Sequence, residues 1–441
     1  MTAPQKFRPV EEQLAYLMKG AVDIVPGPLQ QGQALVFGSM EPLSVKLERS
    51  RQSKTPLRVK LGVDPTAPDI HLGHTVVIRK LKHFQEMGHT AIFLIGDFTA
   101  MVGDPTGQSE TRPPLTREQV QANAQTYLEQ VYKLLDREHT EVRYNSEWLG
   151  KLTSNDIVRL CGHYRLARML EREDFRTRLR NNQPISMHEL LYPLFQAYDS
   201  VVLEADVELG ATEQKFNLLV GRDIQREYME KEATKGPQVA LMMPILVGLD
   251  GQRKMSKSLG NYVGITESPT QMFGKIMSIS DELMWSYYDL LTDFGPPVIV
   301  RIKEEVRTGV LHPKKAKIRL AHTIVAEFHG ESAATKAADE FDLVYSKRQL
   351  PSEMERRTLS RKKLIQNYVS HRSKGQLSRI MADELNLAKS KSDAERLITG
   401  GGVEWDGKKI NDPTFSINLD ELGTYTLRVG KKPAILVEVT E

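Results

Sequence analysis

Residues 57–98 read LRVKLGVDPTAPDIHLGHTVVIRKLKHFQEMGHTAIFLIGDF, and this stretch decides the fold. Residues 57–63 predict a strand, which the turn-forming residues 64–69 end. Residues 71–87 carry apolar side chains at helical spacing and stop before Gly88, so they predict a helix. A second apolar strand is predicted at residues 90–98. Strand, helix and strand in close succession predict a βαβ unit and therefore a parallel sheet.

The composition excludes several classes of protein. Apolar residues make up 40% of the chain and charged residues 27%, which is typical of a globular protein. Cys161 is the only cysteine, so a disulfide framework and a cysteine-based zinc site are excluded. The N-terminus lacks the apolar core of a signal peptide, and the longest apolar run, residues 240–249, is too short to span a membrane. We therefore expect a cytoplasmic protein with no membrane segment.

The charge is unevenly distributed along the chain. The net charge is only +3, from 60 basic and 57 acidic residues. Residues 346–380, however, contain ten Lys or Arg against only Glu353 and Glu355. This stretch is either a solvated linker or a phosphate-contacting segment that leads into a nucleic-acid-binding module.

The first motif with chemical meaning is His71-Leu72-Gly73-His74, directly after the first predicted strand and its loop. A helix that begins here offers free N–H groups and a positive dipole end to phosphate. Gly73 lets a flat nucleotide lie against the backbone, and two imidazoles three residues apart share a helix face. Taken alone, the pattern also fits two surface histidines or an incomplete metal site.

The second motif is Lys254-Met255-Ser256-Lys257-Ser258, which follows a strand predicted at residues 239–247. Two ammonium groups and two hydroxyls lie on a loop between Gly251 and Gly260, which are candidate hinges. Such a loop can close over a triphosphate and neutralise the charge that builds up on departing pyrophosphate. Taken alone, a basic surface loop is the simpler interpretation.

Together, the two motifs resemble the signature motifs of the class I aminoacyl-tRNA synthetases, which read like HIGH and KMSKS. The resemblance implies ATP as a substrate, Mg²⁺ bound through ATP, no metal bound by the protein and no prosthetic group. The catalytic residues that it implies stabilise the phosphates; they are His71, His74, Lys254, Lys257 and Ser258. The ATP-binding residues that it implies are Asp64, His71, Gly73, His74, Arg112, Lys254 and Lys257.

Three further segments resemble the tyrosyl branch of that family. They are residues 63–71 (VDPTAPDIH), residues 103–107 (GDPTG) and residues 191–199 (LYPLFQAYD). The tyrosine-binding residues implied by the resemblance are Thr99, Asp104, Tyr192, Gln196, Asp199 and Gln214. In that scheme Asp104, Tyr192 and Gln196 hold the substrate ammonium group, and Asp199 accepts the phenol hydroxyl. Taken singly, a turn, a helical pair or a helix cap would explain each of these residues equally well.

Four positions depart from the tyrosyl pattern. Lys60 stands where many members carry a tyrosine that contacts the phenol, and Glu213 stands where aspartate is usual. Lys215 replaces a frequent tryptophan, and Gln108 replaces a frequent basic residue. These departures predict a modified pocket and leave the roles of Lys60, Glu213 and Gln214 open.

Residues 375–441 differ in character from the rest, with two short predicted helices followed by GGG and strand-like pieces. This pattern resembles the S4 RNA-binding module. The resemblance implies that Lys389, Lys391 and Arg396 face RNA phosphates, and it favours RNA contact for the basic stretch upstream. A small dimerisation or packing domain is the alternative interpretation.

These observations predict an α/β protein. We expect a Rossmann-like parallel-sheet catalytic domain with an N-terminal helical arm at residues 1–250, followed by the KMSKS loop and a helical anticodon-binding domain at residues 251–345. A basic linker at residues 346–374 and an S4-like α+β domain at residues 375–441 complete the chain.

The resemblance implies tyrosine, ATP and tRNA(Tyr) as partners and a homodimer as the assembly. The alternatives are a tryptophanyl-type enzyme, a catalytically retired RNA-binding factor on the same scaffold, and a nucleotidyltransferase.

Overall fold

The computed structural model describes residues 7–28, 41–104, 116–229, 235–345, 354–368, 374–418, 421–430 and 434–441. The chain divides into two compact units, Met1–Ala334 and Thr335–Glu441. Each unit has its own sheet, so each is described separately below.

The first unit contains a six-stranded sheet. Its strands are β1 (Asp23–Val25), β2 (Arg58–Val63), β3 (Thr90–Ile95), β4 (Thr140–Tyr144), β5 (Val207–Ala211) and β6 (Val239–Met243), in the order β1-β6-β5-β2-β3-β4. Strands β2 to β6 pair in parallel, and the edge strand β1 runs antiparallel to β6. The predicted parallel α/β sheet is therefore confirmed. The strand order reverses between β2 and β5, and ligands of open α/β sheets bind at such a switch point.

Helices cover this sheet and continue beyond it. They are α1 (Val10–Leu17), α2 (Leu43–Ser53), α3 (Leu72–Glu86), α4 (Thr99–Val102), α5 (Arg117–Val131), α6 (Ser146–Leu149), α7 (Ser154–Gly162), α8 (Leu166–Met169), α9 (Glu173–Arg180), α10 (Met187–Val202), α11 (Lys215–Tyr228), α12 (Pro269–Met277), α13 (Asp281–Leu291), α14 (Pro296–Arg307) and α15 (Pro313–His329). Helix α16 (Glu331–Tyr345) begins in the first unit and ends in the second. A 3₁₀ turn at Thr212–Gln214 precedes α11. Helices α12, α14 and α15 each begin with proline, whose fixed φ suits the first helical position.

Helix α3 is fixed to its surroundings by buried cations. The Lys80 ammonium donates to the carbonyl oxygens of Leu17 and Lys19, each at 2.7 Å. The Arg79 guanidinium contacts Asp293 at 2.7 Å and also pairs with Glu327, on the helical segment that follows the sheet. Because these partners lie on three parts of the chain, the position of α3 is tied to the whole unit.

The second unit contains two sheets. Its strands are β7 (Arg356–Ser360), β8 (Lys374–Gln376), β9 (Val403–Trp405), β10 (Lys408–Ile410), β11 (Ser416–Asn418), β12 (Gly423–Val429) and β13 (Ile435–Thr440). Five of them form a sheet in the order β10-β9-β12-β13-β7, and β11 pairs with β8. The helical elements are α17 (Arg361–Tyr368), α18 (Leu377–Arg379), a π-helical turn (Ile380–Glu384) and α19 (Lys391–Thr399).

The basic stretch of the sequence contributes to the core of this unit. Strand β7 lies within the expected linker, yet it pairs in parallel with β13. Leu359 is 2% exposed and Leu364 is 1% exposed in the same apolar cluster as Val437. The linker expected at residues 346–374 and the boundary expected at residue 375 therefore differ from the structure, because these two leucines bury their side chains while the surrounding basic residues stay at the surface.

We predict that Leu359→Ala lowers the free energy of unfolding of this unit by about 2–5 kcal/mol, because it leaves a cavity in the apolar cluster. Denaturant unfolding followed by tryptophan fluorescence measures the change. Thr358 is exposed on the same strand, so Thr358→Ala is the matched control and should stay within about 0.5 kcal/mol. Equal effects of the two substitutions would contradict a buried β7.

Candidate active site

A cavity of about 630 Å³ lies at the carboxyl ends of β2, β3 and β5, beside the N-terminus of α3. Most of the residues predicted for ATP and tyrosine line it: Asp64, Gly73, His74, Thr99, Asp104, Tyr192, Gln196, Asp199, Gln214 and Lys254. The structure thus brings together side chains from segments that are far apart in the sequence.

The two histidines of the first motif form the start of α3. His71 is the N-cap, and its Nδ1 accepts a hydrogen bond from the Gly73 amide at 3.1 Å. The Nδ1 of His74 accepts from the His71 amide at 3.2 Å, and the two rings stack at 3.8 Å. Burial lowers the pKa of His71 to about 3 and that of His74 to about 4, with a contribution from Lys257. Both imidazoles are therefore neutral at pH 7, and each carries its proton on Nε2 as a donor for a ligand.

The lysine-bearing loop lies against the first motif. The Leu72 amide donates to the Val263 carbonyl at 2.9 Å, and the Ile265 amide donates to the Ile70 carbonyl at 3.0 Å. A β-bridge between His71 and Gly264 lies between these two bonds. Backbone pairing thus places the end of the KMSKS loop beside the histidines.

Lys257 reaches the loop that precedes α3. Its Nζ donates to the Asp69 carbonyl oxygen at 2.5 Å and lies 3.8 Å from the Asp69 carboxylate. Burial lowers the pKa of Lys257. Lys254 lines the cavity, and its Nζ pairs with Glu213 at 3.0 Å, where both side chains are partly exposed. The hydroxyls of Ser256 and Ser258 lie 2.9 Å apart at the surface of the loop.

Steric constraint favours glycine at residue 73, independently of any ligand that binds in the cavity. A Cβ at this position would lie 2.9 Å from the His71 ring and 3.5 Å from the Cβ of Met255, which is itself buried. A side chain at residue 73 would therefore displace the histidine that caps α3. Glycine at this position keeps the two motifs in contact.

Asp64 stands at the end of β2 among neutral donors. Its carboxylate accepts from the hydroxyl of Tyr192 at 2.9 Å and from that of Thr99 at 2.8 Å. Burial raises the pKa of Asp64 to about 7, and the nearby Asp104 carboxylate adds to that rise. The arrangement is an acidic cluster suited to a cation such as an ammonium group.

Asp199 is the buried carboxylate at the other end of the cavity. Trp148 Nε1 donates to one of its oxygens at 2.8 Å, and Asn145 Nδ2 donates to the other at 3.3 Å. Burial raises its pKa to about 7, against the opposing charge of Lys60. The carboxylate is thus fixed in orientation and retains lone pairs for a further donor.

Helix α10 supplies three of the cavity residues from one face, Tyr192, Gln196 and Asp199, which are spaced at i, i+4 and i+7. The Gln196 side chain is oriented at both ends: its Nε2 donates to Glu208, and its Oε1 accepts from Asn217, each at 3.1 Å. The helix therefore presents a preorganised polar face.

The other predicted tyrosine-binding residues have protein partners of their own. Asp104 lies 3.7 Å from the buried guanidinium of Arg172. The Gln214 Oε1 accepts from the Ala211 amide at 3.2 Å, at the end of β5.

Some predicted residues lie elsewhere. Arg112 and the departure at Gln108 fall outside the described residues. The predicted RNA-binding residues belong to the second unit, where Lys391 pairs with Glu395 at 3.3 Å and Arg396 pairs with Asp393 at 2.7 Å. Lys389 is exposed immediately before α19.

The sequence analysis missed four polar residues that shape the cavity: Asn145, Trp148, Glu208 and Asn217. Each acts by orienting a residue that the motifs did identify. They belong to none of the segments that carried the resemblance, so no local signal marked them.

In the described parts of the chain, no group of three or more His, Cys, Asp or Glu is arranged to hold a metal ion. In the same parts, no helix has both the length and the apolar character needed to cross a membrane.

Comparison with known sequences places the chain in a family. Residues 52–346 match the family described as tRNA synthetases class I (W and Y). The tyrosine–tRNA ligase of Oleidesulfovibrio alaskensis is 50% identical over 426 residues, covering 96% of this chain and 98% of that protein. That of Moorella thermoacetica is 49% identical over 423 residues, covering 96% and 95% respectively.

Solved structures show the same fold at lower identity. A C-terminally truncated mitochondrial tyrosyl-tRNA synthetase of Aspergillus nidulans has a TM-score of 0.60 at 21% identity, covering 76% of this chain and 94% of that one. Tyrosyl-tRNA synthetase of Archaeoglobus fulgidus, solved with L-tyrosine, has a TM-score of 0.55 at 22% identity, covering 75% and 100%. From its sequence, its fold and its paired motifs, this chain belongs to the tyrosyl group of the class I tRNA synthetases.

Proposed function

We propose that the chain activates tyrosine with ATP to form tyrosyl-adenylate and pyrophosphate, and then transfers the tyrosyl group to the 3′-terminal adenosine of tRNA(Tyr) at the 2′-OH. The family and relatives about 50% identical over nearly the whole chain support tyrosine–tRNA ligase activity. The observation that carries the proposal is the apposition of the HLGH and KMSKS motifs at one end of an acidic cavity. Tyrosine-dependent ATP–pyrophosphate exchange tests it.

In the first step the tyrosine carboxylate attacks the α-phosphate of ATP. The nucleophile is already ionised, so no general base is needed, and catalysis rests on alignment and on charge stabilisation. We assign His71 and His74 to phosphate oxygens, which neutral imidazoles reach by donating their Nε2 protons. The free amides at the N-terminus of α3 add a positive dipole end.

The lysines of the loop serve the departing pyrophosphate. Lys254 is held by Glu213 in a partly exposed ion pair. Such pairs contribute little to stability, so a triphosphate can take over the ammonium group at small cost. Lys257 already lies beside Asp69, next to the histidines, and needs only a local rearrangement to meet phosphate. Ser258 and Arg112 complete the proposed set, with Mg²⁺ arriving on ATP as part of the substrate.

The opposite end of the cavity is proposed to take the amino acid. The ammonium group is received by Asp104, Tyr192 and Gln196, beside Asp64, which is assigned to ATP and accepts a hydrogen bond from Tyr192. Asp199 accepts the phenol hydroxyl, while Thr99 and Gln214 line the pocket. Phenylalanine is disfavoured because it would leave the buried Asp199 carboxylate without the hydroxyl that it is built to bond.

The alternative functions have less support. A tryptophanyl-type enzyme shares the family, but the relatives of 46–50% identity are named tyrosine–tRNA ligases. A retired RNA-binding factor would not need the preserved apposition of both motifs. Exchange supported by tryptophan alone, or RNA binding without any exchange, would favour these alternatives.

We further propose a homodimer that works in the cytoplasm. Four large apolar side chains are exposed on the successive segments α7 to α10: Val158, Leu166, Leu179 and Met187, with exposures of 56–75%. We propose these side chains as part of the surface that a second copy of the chain covers. The second unit is proposed to bind tRNA phosphates through Lys389, Lys391 and Arg396, since partly exposed ion pairs open readily.

We predict that Lys257→Ala slows adenylate formation by a factor on the order of 10²–10³, because a cation beside the phosphates is lost. Tyrosine-dependent ATP–pyrophosphate exchange measures the rate of adenylate formation. Gln252→Ala alters an exposed residue of the same loop and is the matched control, with an unchanged rate expected. Wild-type turnover in the Lys257 variant would reject the assigned role.

We predict that a chain ending at Tyr345 retains pyrophosphate exchange but charges tRNA poorly, because the proposed RNA-binding surface is removed. Charging with labelled tyrosine and exchange are measured on the same preparation. The cut is placed before β7 because a cut at residue 375 would leave β7 without its partner β13. Undiminished charging by the shortened chain would show that residues 346–441 are dispensable for tRNA.

A further inference from the structure

Lys60 and Glu208 form a buried ion pair in the wall of the cavity. They lie opposite each other on the neighbouring strands β2 and β5, and Lys60 Nζ is 2.9 Å from Glu208 Oε1. The Lys60 side chain is 0% exposed and the Glu208 side chain 1%. Burying either charge without the other is costly, so the two must be considered as a unit.

All three donors of the Lys60 ammonium group are used within the protein. Besides Glu208, it donates to the Ser200 hydroxyl at 2.6 Å and to the Gln196 carbonyl oxygen at 3.1 Å. An ammonium group has only three N–H bonds. Lys60 therefore acts on a ligand in the cavity through its neighbours, and it is a positioning residue.

Glu208 binds the same two residues of α10 from the other side. It accepts from Gln196 Nε2 and from the Ser200 hydroxyl, each at 3.1 Å. The ion pair thus fixes α10 to the sheet at residues 196 and 200. Asp199 lies between these two anchoring points, so the same contacts set its position.

The pair also sets the electrostatic environment of Asp199. Burial raises the pKa of Asp199 to about 7, and the charge of Lys60 is the largest influence that lowers it, while Glu208 raises it more weakly. The groups that face Asp199 from the elements packed against it are Lys60 on β2, Glu208 on β5, Asp64 after β2, and Asn145 and Trp148 after β4. Near neutral pH the Asp199 carboxylate is therefore close to the midpoint of its titration. The charge of Lys60 then has a large effect on the fraction of Asp199 that is ionised.

We propose that the Lys60–Glu208 pair determines selectivity for a hydroxylated aromatic amino acid, by favouring the ionised form of Asp199 as the acceptor for the phenol and by orienting Gln196. This inference rests on the proposed tyrosine-activating function and names the residues that tune its pocket. It also gives the departure at Lys60 a role that does not require direct contact with the substrate.

The test compares two variants that alter the charge beside Asp199 in opposite directions. Lys60→Met combined with Glu208→Gln removes both charges, and because the effect of Lys60 is the larger, the pKa of Asp199 rises. Glu208→Gln alone leaves the buried Lys60 ammonium group with Asp199 as its remaining opposite charge, and the pKa of Asp199 falls. Tyrosine-dependent and phenylalanine-dependent pyrophosphate exchange are measured from about pH 6 to pH 9, a range that brackets this pKa.

As the pH is lowered and Asp199 becomes protonated, KM for tyrosine should rise. In the double variant we expect the pH at which KM reaches twice its high-pH value to move upward. If the pKa of Asp199 rises by about one unit, its ionised fraction at pH 7 falls from about one half to about one tenth, so the ratio of kcat/KM for tyrosine to that for phenylalanine should fall about fivefold. In Glu208→Gln that pH moves downward. Phenylalanine has no hydroxyl to donate to Asp199, so its exchange should not weaken as Asp199 becomes protonated.

Lys46→Met is the matched control. Lys46 is another fully buried lysine of the same unit, paired with Glu41 at 3.4 Å and Asp206 at 3.7 Å, and it does not line the cavity. Its profile should keep the wild-type midpoint.

Unchanged midpoints, or a uniform loss of activity at every pH, would overturn the inference and leave the proposed function standing. If circular dichroism shows that the double variant is unfolded, the inference is tested by Glu208→Gln alone: a downward shift of its pH midpoint supports the inference, and an upward shift contradicts it. Absence of tyrosine-dependent exchange in the wild-type protein would instead overturn the proposed function, and the inference with it.

Discussion

The site depends on a short piece of backbone pairing between residues 70–72 and residues 263–265. Buried backbone amides and carbonyls must find partners, and here each segment supplies the partner of the other. The pairing brings together two motifs that are separated by about 180 residues in the chain. The proposed phosphate contacts of the histidines and the loop lysines follow from that adjacency, because the histidines form the start of α3 and the lysines precede residue 263 on the paired segment.

Catalytic geometry in this protein is obtained by burying charge. Asp199, Lys60 and Glu208 lie buried in or beside the cavity, and Asp64 is partly buried in its wall. Each buried charge is costly unless hydrogen bonds and opposite charges compensate for it. The structure supplies them through Tyr192, Thr99, Trp148, Asn145 and Ser200. The cavity is therefore polar and rigid before any ligand enters, as preorganised electrostatic catalysis requires.

The central βαβ unit could be predicted from the sequence because the spacing of its apolar side chains changes clearly from strand to helix to strand between residues 57 and 98. Strands β1, β4 and β5 were not predicted, since they are only three to five residues long and sit between stronger helical patterns. Strand β7 was missed because its basic residues outweighed the single buried Leu359. In the site, the motifs identified the residues proposed to meet substrate. The residues that orient them, such as Trp148 and Glu208, reach them only in the folded structure, so the spacing of residues in the sequence could not indicate them.

The double duty of His71 has a consequence for how substitutions at the first motif should be interpreted. Its imidazole closes the first turn of α3 and is also proposed to contact phosphate. Loss of a helix cap alone costs about 1 kcal/mol. A lower activity of a His71 variant therefore combines two effects: loss of the helix cap and loss of the proposed phosphate contact. The two contributions separate only when folding stability and turnover are determined on the same sample.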